Sequence, residues 1–139
     1  MERAARDSGA SDRIHIDGFV ANADLPARYR AFDVVAVPSL DTPSWVEQFG
    51  RVAVEAMASG AVVVASRSGA LPDVVGDAGL LVPPGDVDAL AEALARLRDD
   101  PSLRRDLQTA GRERAQRYAW PAIARRQADF YAGLECYSR

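Results

Sequence analysis

Short apolar runs alternate with longer amphipathic stretches along this chain, and the alternation is its strongest constraint on the fold. Four runs rich in valine, isoleucine or leucine are each followed by a residue that ends strands, and they span Ile14 to Asp17, Val34 to Pro38, Val62 to Ala65 and Leu80 to Val82. Strands that take turns with helices are typical of α/β proteins. The sequence therefore predicts an α/β fold, a partial doubly wound (Rossmann-like) parallel sheet of about four strands with C-terminal helices.

The amphipathic stretches predict the helices. Four lie among the strands, at Glu2 to Gly9, Leu25 to Phe32, Gly50 to Ser59 and Leu71 to Val75, and three follow the last strand, at about Asp86 to Arg98, Asp100 to Tyr118 and Pro121 to Leu134. Asp100 followed by Pro101 is typical of an N-cap and a first-turn proline. The last helix carries several apolar residues and needs a surface to pack against.

Length and charge limit the possible functions. At 139 residues the chain suits one domain, so a function that needs a cleft between domains requires further polypeptide. The net charge of -3 and the pI near 5.1 make nucleic acid an unexpected partner. The chain carries neither an apolar run of about 20 residues nor a signal peptide, so we expect no transmembrane segment and a cytoplasmic protein. Peripheral membrane contact stays open.

Residue usage excludes several chemistries. All seventeen basic residues are arginine, which rules out catalysis by a Schiff-base lysine or by the lysine of a phosphate-binding loop. Cys136 has no second cysteine to pair with, and His15 has no second histidine or cysteine with which to share a metal. We therefore expect neither a disulfide nor a zinc site.

The segment from Pro38 to Gly60, PSLDTPSWVEQFGRVAVEAMASG, is the most informative about function. It runs from the end of a predicted strand through a long loop into a helix, and open α/β sheets bind ligands at this edge. Glu55 falls in an apolar run, where a carboxylate must be paired or hydrogen-bonded. On a continuous helix, Glu47 and Glu55 would be separated by about 12 Å, comparable with the reach from a ribose across a pyrophosphate to a hexose.

The stretch EQFGRVAVEAMASG resembles the E-x7-E signature of the retaining glycosyltransferase family 4 (group 1), which has the two-domain GT-B fold. The flanking segments DVVAVPS, AVVVAS, SGALPDVVGDAGLLVPPGD and DALAEALARL are also similar to that family, in family order and over nearly the whole chain. The resemblance implies the C-terminal, donor-binding domain of such an enzyme. The reaction it implies is sugar transfer from a nucleotide diphosphate sugar to an unknown acceptor hydroxyl, with retention and with no metal or other cofactor required.

The resemblance also implies the site residues. Glu47 would lie beside the donor hexose as the candidate catalytic residue, and the residues after it would face the sugar and phosphate as donor-binding residues: Gln48, Phe49 and Gly50. Glu55 would accept hydrogen bonds from the two ribose hydroxyls, a role that suits a carboxylate with two acceptor oxygens. The loop around Phe19 and Val20 corresponds to the place where the family's nucleobase packs.

Other residues have structural interpretations that compete with functional ones. The sequence DVD that begins at Asp86 imitates a D-x-D metal motif, but its position after Pro-Pro-Gly predicts helix capping instead. Arg51 and Arg67 lie near the expected phosphate region, and a solvated surface position explains either equally well. Trp45 and Trp120 are expected to pack in the protein rather than to stack on a ligand.

The chain also departs from the family pattern. Family members place an acceptor-binding domain first, and their donor domain begins with two more strands whose Arg and Lys clamp the diphosphate. We therefore expect residues 1–139 to form a single incomplete domain, truncated and inactive alone. The missing strands would leave a gap in the sheet, so the partner is expected to be a missing N-terminal domain or a second copy. The alternative is a stand-alone domain that binds a nucleotide or a partner without catalysis. A receiver-like domain is a third and weaker possibility.

Overall fold

A computed structural model describes residues 2–135 of the protein and shows an α/β fold. The helices are α1 Glu2–Asp7, α2 Leu25–Arg30, α3 Arg51–Ser59, α4 Leu71–Val75, α5 Val87–Asp99, α6 Pro101–Ala115 and α7 Trp120–Glu135, and the strands are β1 Val34–Val37, β2 Val62–Ser66 and β3 Leu80–Val82. Each predicted helix is present, and its ends lie within about three residues of the prediction. Cys136 lies outside the described residues.

The three strands form one parallel sheet in the order β1-β2-β3. Val34 lies opposite Val62 and Val64 lies opposite Leu80, so the carboxyl ends of all three strands meet at one edge. Every residue of the central strand β2 is buried because helices cover both faces of the sheet. This burial explains why β2 has an uninterrupted apolar sequence rather than an alternating one.

The fourth predicted strand, Ile14 to Asp17, does not form, so the prediction of about four strands was one too many. Ile14 has extended dihedral angles, but within residues 2–135 the segment has no neighbouring strand with which to form a hydrogen-bonded ladder. Ile14 and Ile16 are both exposed. Because this strand is absent among residues 2–135, β1 pairs with β2 alone and is an edge strand. Self-association, or completion of the sheet by a missing domain, remains a prediction.

Two groups of buried side chains hold the sheet between its helices. On one face Val63 and Ala65 of β2 pack with Met57 of α3 and with residues of α4 and α6. On the other face Val62 and Val64 pack with side chains of α5 and α6. Met57 is fully buried and anchors α3 to the sheet. This packing fixes the position of the loop before α3 and of the helix surface that faces away from the sheet, where a ligand can bind.

Aspartates cap α5 and α6, as predicted. The Asp86 side chain accepts a hydrogen bond from the amide of Ala89 at 2.9 Å, and the Asp100 side chain accepts bonds from the amides of Ser102 and Leu103. These bonds satisfy donors that have no partner within the helix. The hydrogen bond from the Ser102 hydroxyl, followed by that from the Leu103 amide, holds the pKa of the Asp100 carboxyl below its usual range.

Asp86→Ala is expected to lower the free energy of unfolding by about 1 kcal/mol, because it removes an N-cap. Asp88→Ala is the matched control, since this residue lies in the first turn of α5 and contributes only a few tenths of a kcal/mol through the helix dipole. Urea unfolding of both variants, with and without Mg²⁺, measures the difference. A magnesium-dependent loss shared by both variants would contradict the capping role and favour a metal site.

The last helix, α7, leaves much of its apolar surface exposed. Trp120 is 83% exposed, and Phe130 and Tyr131 lie edge to face at 5.8 Å on the surface. Trp45, in the loop after β1, is 49% exposed, so the expectation that the two tryptophans pack in the protein was wrong for Trp120 and is only half met by Trp45. A side chain is buried only where another surface meets it, and residues 2–135 leave most of Trp120 and about half of Trp45 uncovered.

Within the described part of the chain, none of the helices combines the length and the apolar character needed to cross a membrane.

Candidate functional site

The candidate site surrounds the start of α3, at the edge of the sheet where the strands end. The chain leaves β1, forms a long loop and enters α3 through Gly50, which has a left-handed φ of 75°. A Cβ at this position would also meet the side chain of Leu71 on α4. Glycine therefore suits the entry to the helix both in its backbone conformation and in its packing.

Glu47 lies in this loop, so the two predicted glutamates do not share one continuous helix. The half-buried Glu47 carboxylate accepts hydrogen bonds from the amides of Gly50 at 2.9 Å and Phe49 at 3.4 Å, and from the Ser39 hydroxyl at 3.4 Å. Its backbone carbonyl accepts a bond from the amide of Ala70 at 2.9 Å. Both ends of Glu47 are thus tied to neighbouring loops.

The amides that were predicted to face a donor phosphate are turned towards this carboxylate. The amides of Phe49 and Gly50 both reach the same carboxylate oxygen of Glu47. Gln48 is exposed, and the Phe49 ring packs edge to face on Tyr118 with centroids 5.6 Å apart. The start of α3 therefore already binds one anionic group, supplied by the chain itself.

A second loop, between β2 and α4, buttresses the first. The fully buried Ser68 donates a hydrogen bond from its hydroxyl to the Asp41 carboxylate, which lies 27 residues earlier in the chain. Gly69 lies directly against the carbonyl of Glu47, leaving no room for a side chain. None of these three residues was predicted to belong to the site, because their contacts join loops that are remote in sequence.

Glu55 lies in the middle of α3 and faces a cleft of about 520 Å³ between α2 and α3. The Tyr29 hydroxyl of α2 donates a hydrogen bond to one Glu55 carboxylate oxygen at 3.3 Å, and the Arg51 guanidinium lies 3.4 Å from the other. The expectation that Glu55 is paired and hydrogen-bonded is confirmed. The rest of the cleft is lined mainly by α2 and by the end of α3: Asn22, Leu25, Pro26, Arg30, Ala58 and Ser59.

The charges of the cleft are mixed. Among residues 2–135, its wall contains two cations, Arg30 and Arg51, and one carboxylate, Glu55. Burial raises the pKa of the Tyr29 hydroxyl, and the charge and hydrogen bond of Glu55 raise it further, whereas Arg51 opposes the shift. Tyr29 is therefore a protonated donor at neutral pH. In such a cleft the carboxylate can accept hydrogen bonds from hydroxyl groups, and the two guanidiniums can bind an anion beside them.

Phe19 and Val20 do not line this cleft. Phe19 is 95% exposed and Val20 is half-buried, in an irregular segment before α2. Arg67 is exposed after β2 and is likewise absent from the wall of the cleft, whereas Arg51 is part of it. The nucleobase role of Phe19 and Val20 remains a prediction.

The parallel sheet, with its C-terminal helices and with a ligand-sized cleft beside α3, has the fold of the C-terminal domain of GT-B glycosyltransferases. A similar structure is that of HepE from Anabaena in complex with UDP. The similarity covers 94% of this chain and 35% of the HepE chain, with a TM-score of 0.83 and 29% sequence identity. The chain belongs to the glycosyl transferases group 1 family, whose model matches residues 1–114.

Two curated relatives extend the comparison. An MMP α-(1→4)-mannosyltransferase from Mycolicibacterium hassiacum is 40% identical over 134 residues, which are 94% of this chain and 31% of that protein. A D-inositol 3-phosphate glycosyltransferase from Saccharomonospora viridis is 47% identical over 110 residues, or 78% of this chain and 24% of that protein. The chain spans less than a third of the length of these relatives.

Proposed function

We propose that this chain is the donor-binding part of a retaining, family 4 glycosyltransferase that transfers a sugar from a nucleoside diphosphate sugar to an acceptor hydroxyl. The observation that carries the proposal is the arrangement of two glutamates around the start of α3, with Glu47 on the amides before the helix and Glu55 in the cleft beside it. The structures of the similar HepE with UDP and with UDP-glucose support this donor class. The family match favours this function over a stand-alone binding domain.

The cleft beside α3 suits the nucleoside part of the donor. Its volume of about 520 Å³ falls in the range of small-molecule sites. The Glu55 carboxylate would accept the two ribose hydroxyls, and Arg30 and Arg51 would offset the charge of the phosphates. The exposed Phe19 and the neighbouring Val20 are available to pack on the nucleobase.

The loop before α3 suits the reacting part of the donor. The amides of Phe49 and Gly50 bind the Glu47 carboxylate, which shows that they are placed to bind an oxygen anion, and a donor phosphate would take the place of that carboxylate. In the reaction they would stabilise the negative charge that develops on the departing diphosphate, which is electrostatic catalysis. When the donor binds, the Glu47 carboxylate would give up its hydrogen bonds from these amides and accept hydrogen bonds from the sugar hydroxyls instead. With amides and arginines offsetting the charge, the proposed transfer requires no metal.

Calorimetric titration of the 139-residue chain with UDP, GDP and ADP tests the proposal. One of the three diphosphates is expected to bind, and its monophosphate is expected to bind at least about tenfold more weakly, because charge-assisted hydrogen bonds to the second phosphate are lost. Inorganic pyrophosphate is the control for non-specific binding to arginine. If none of the three nucleotides binds above that control, the donor-site proposal is wrong.

A further inference from the structure

Tyr29 makes a contact that the proposed roles of the two glutamates do not use. It lies on α2, and its hydroxyl reaches the Glu55 carboxylate of α3 across 26 residues of sequence. Its ring packs against the buried core that also holds Met57, so the position of the hydroxyl is set by the core. The Arg51 guanidinium forms an ion pair with Glu55 and is 76% exposed, so it is less constrained than the Tyr29 hydroxyl.

Tyr29 and Arg51 approach different oxygens of the Glu55 carboxylate. Tyr29 bonds to Oε2 of Glu55, whereas the Arg51 Nε lies beside Oε1. An ionised carboxylate has about four acceptor positions, two on each oxygen. One position on each oxygen therefore remains for a ligand, and two adjacent hydroxyl donors match this pair.

We propose that Tyr29 is a positioning residue, which orients the Glu55 carboxylate so that its free acceptor positions face the 2′ and 3′ hydroxyls of a nucleoside ribose. The inference rests on the proposed function, since it assigns Glu55 to the ribose. Without the Tyr29 hydroxyl, the carboxylate is free to rotate towards Arg51, which lies one turn earlier on the same helix. In this role Tyr29 acts through Glu55, so its effect depends on the ribose hydroxyls that Glu55 binds.

Tyr29→Phe separates this role from general packing. The substitution keeps the ring that packs on the core and removes only the hydroxyl. In calorimetry of the 139-residue chain it is expected to weaken the binding of UDP, GDP or ADP, whichever binds, by about fivefold. The binding of the corresponding 2′-deoxynucleotide is expected to change by less than about twofold, because one of the two hydroxyls that require the orientation is absent.

Tyr131→Phe is the matched control, because it removes a hydroxyl from an exposed tyrosine on α7, outside the cleft. It is expected to leave both affinities unchanged. Equal weakening of the ribonucleotide and its deoxy analogue by Tyr29→Phe, or no weakening of either, would overturn the positioning role while leaving the proposed function intact. Absence of any nucleotide binding by the unaltered chain would overturn the proposed function, and the positioning role with it.

A ligand-free measurement tests the contact itself. Burial is the largest cause of the raised pKa of Tyr29, and the charge and hydrogen bond of Glu55 raise it further, so Glu55→Gln is expected to lower the pKa of the Tyr29 hydroxyl towards its ordinary value. The charge of Arg51 remains in that variant and also lowers the pKa of Tyr29. The measurement is an NMR titration of the Tyr29 Cζ resonance in both proteins. An unchanged pKa would mean that Tyr29 does not contact Glu55 in solution and would overturn the inference.

Discussion

Gly69→Ala is expected to lower the free energy of unfolding by about 3 kcal/mol, the largest effect on stability that we expect from adding one methyl group to this chain. Gly69 has a φ of 50°, and an alanine there costs about 1 kcal/mol for its backbone conformation alone. The added Cβ would also overlap the Glu47 carbonyl, and relieving an overlap in packed structure costs a further 1 to 3 kcal/mol, roughly. The effect reaches the site because the displaced peptide belongs to Glu47.

Urea unfolding of Gly69→Ala measures this effect, and Gly9→Ala is the matched control. Gly9 has a similar φ of 69°, but a Cβ there meets no atom within 4 Å, so its substitution carries the conformational cost alone. We expect the Gly9 variant to lose about 1 kcal/mol or less. Equal losses in the two variants would show that the loop of Glu47 moves away freely. The close contact at Gly69 would then have no structural consequence.

Glu55→Ala is expected to weaken the binding of a nucleoside diphosphate and of its sugar conjugate equally, by about 100-fold or more. The proposed loss is that of two hydrogen bonds from ribose hydroxyls to a charged acceptor, and each such bond contributes about 1.5 kcal/mol or more. Glu47→Ala is expected to act differently. It should weaken only the sugar conjugate, by about tenfold, because its carboxylate is assigned to the sugar hydroxyls.

Glu47→Ala has a second expected consequence, which comes from the ligand-free structure. The Glu47 carboxylate occupies the amides of Phe49 and Gly50, so its removal leaves these donors free for a phosphate. The affinity for the nucleoside diphosphate is therefore expected to stay the same or to rise slightly. Calorimetry with UDP and UDP-glucose, or with the equivalent pair for another base, measures both ratios. A parallel loss of both ligands in the two variants would contradict the proposed division of roles.

Local chemistry accounts for the parts of the fold that were predicted well. The short helix α4 was predicted at its observed bounds, and the caps at Asp86 and Asp100 were predicted from the residues beside them. Capping and amphipathic periodicity involve residues within a few positions of one another. Such features are therefore visible in a single sequence without knowledge of the fold.

Predictions that required a partner surface failed more often. The segment Ile14 to Asp17 has the composition of a strand, but a strand exists only when another strand accepts its hydrogen bonds. Trp45 and Trp120 have the apolar area of core residues, but their burial depends on which surfaces meet them. Composition shows that a residue can pair or pack. It does not show whether a partner lies beside it.

The sequence by itself determined the α/β class, the order of the helices and of the three strands that form, and the position of Glu47 before one helix and Glu55 within it, because these follow from local periodicity, capping and spacing. Only the tertiary structure decided that Glu47 turns to the amides of Phe49 and Gly50. It alone also brought Tyr29 to Glu55 across 26 residues and Ser68 to Asp41 across 27. These contacts join elements whose separation in space is set by packing against the sheet, and no spacing along the chain encodes that separation.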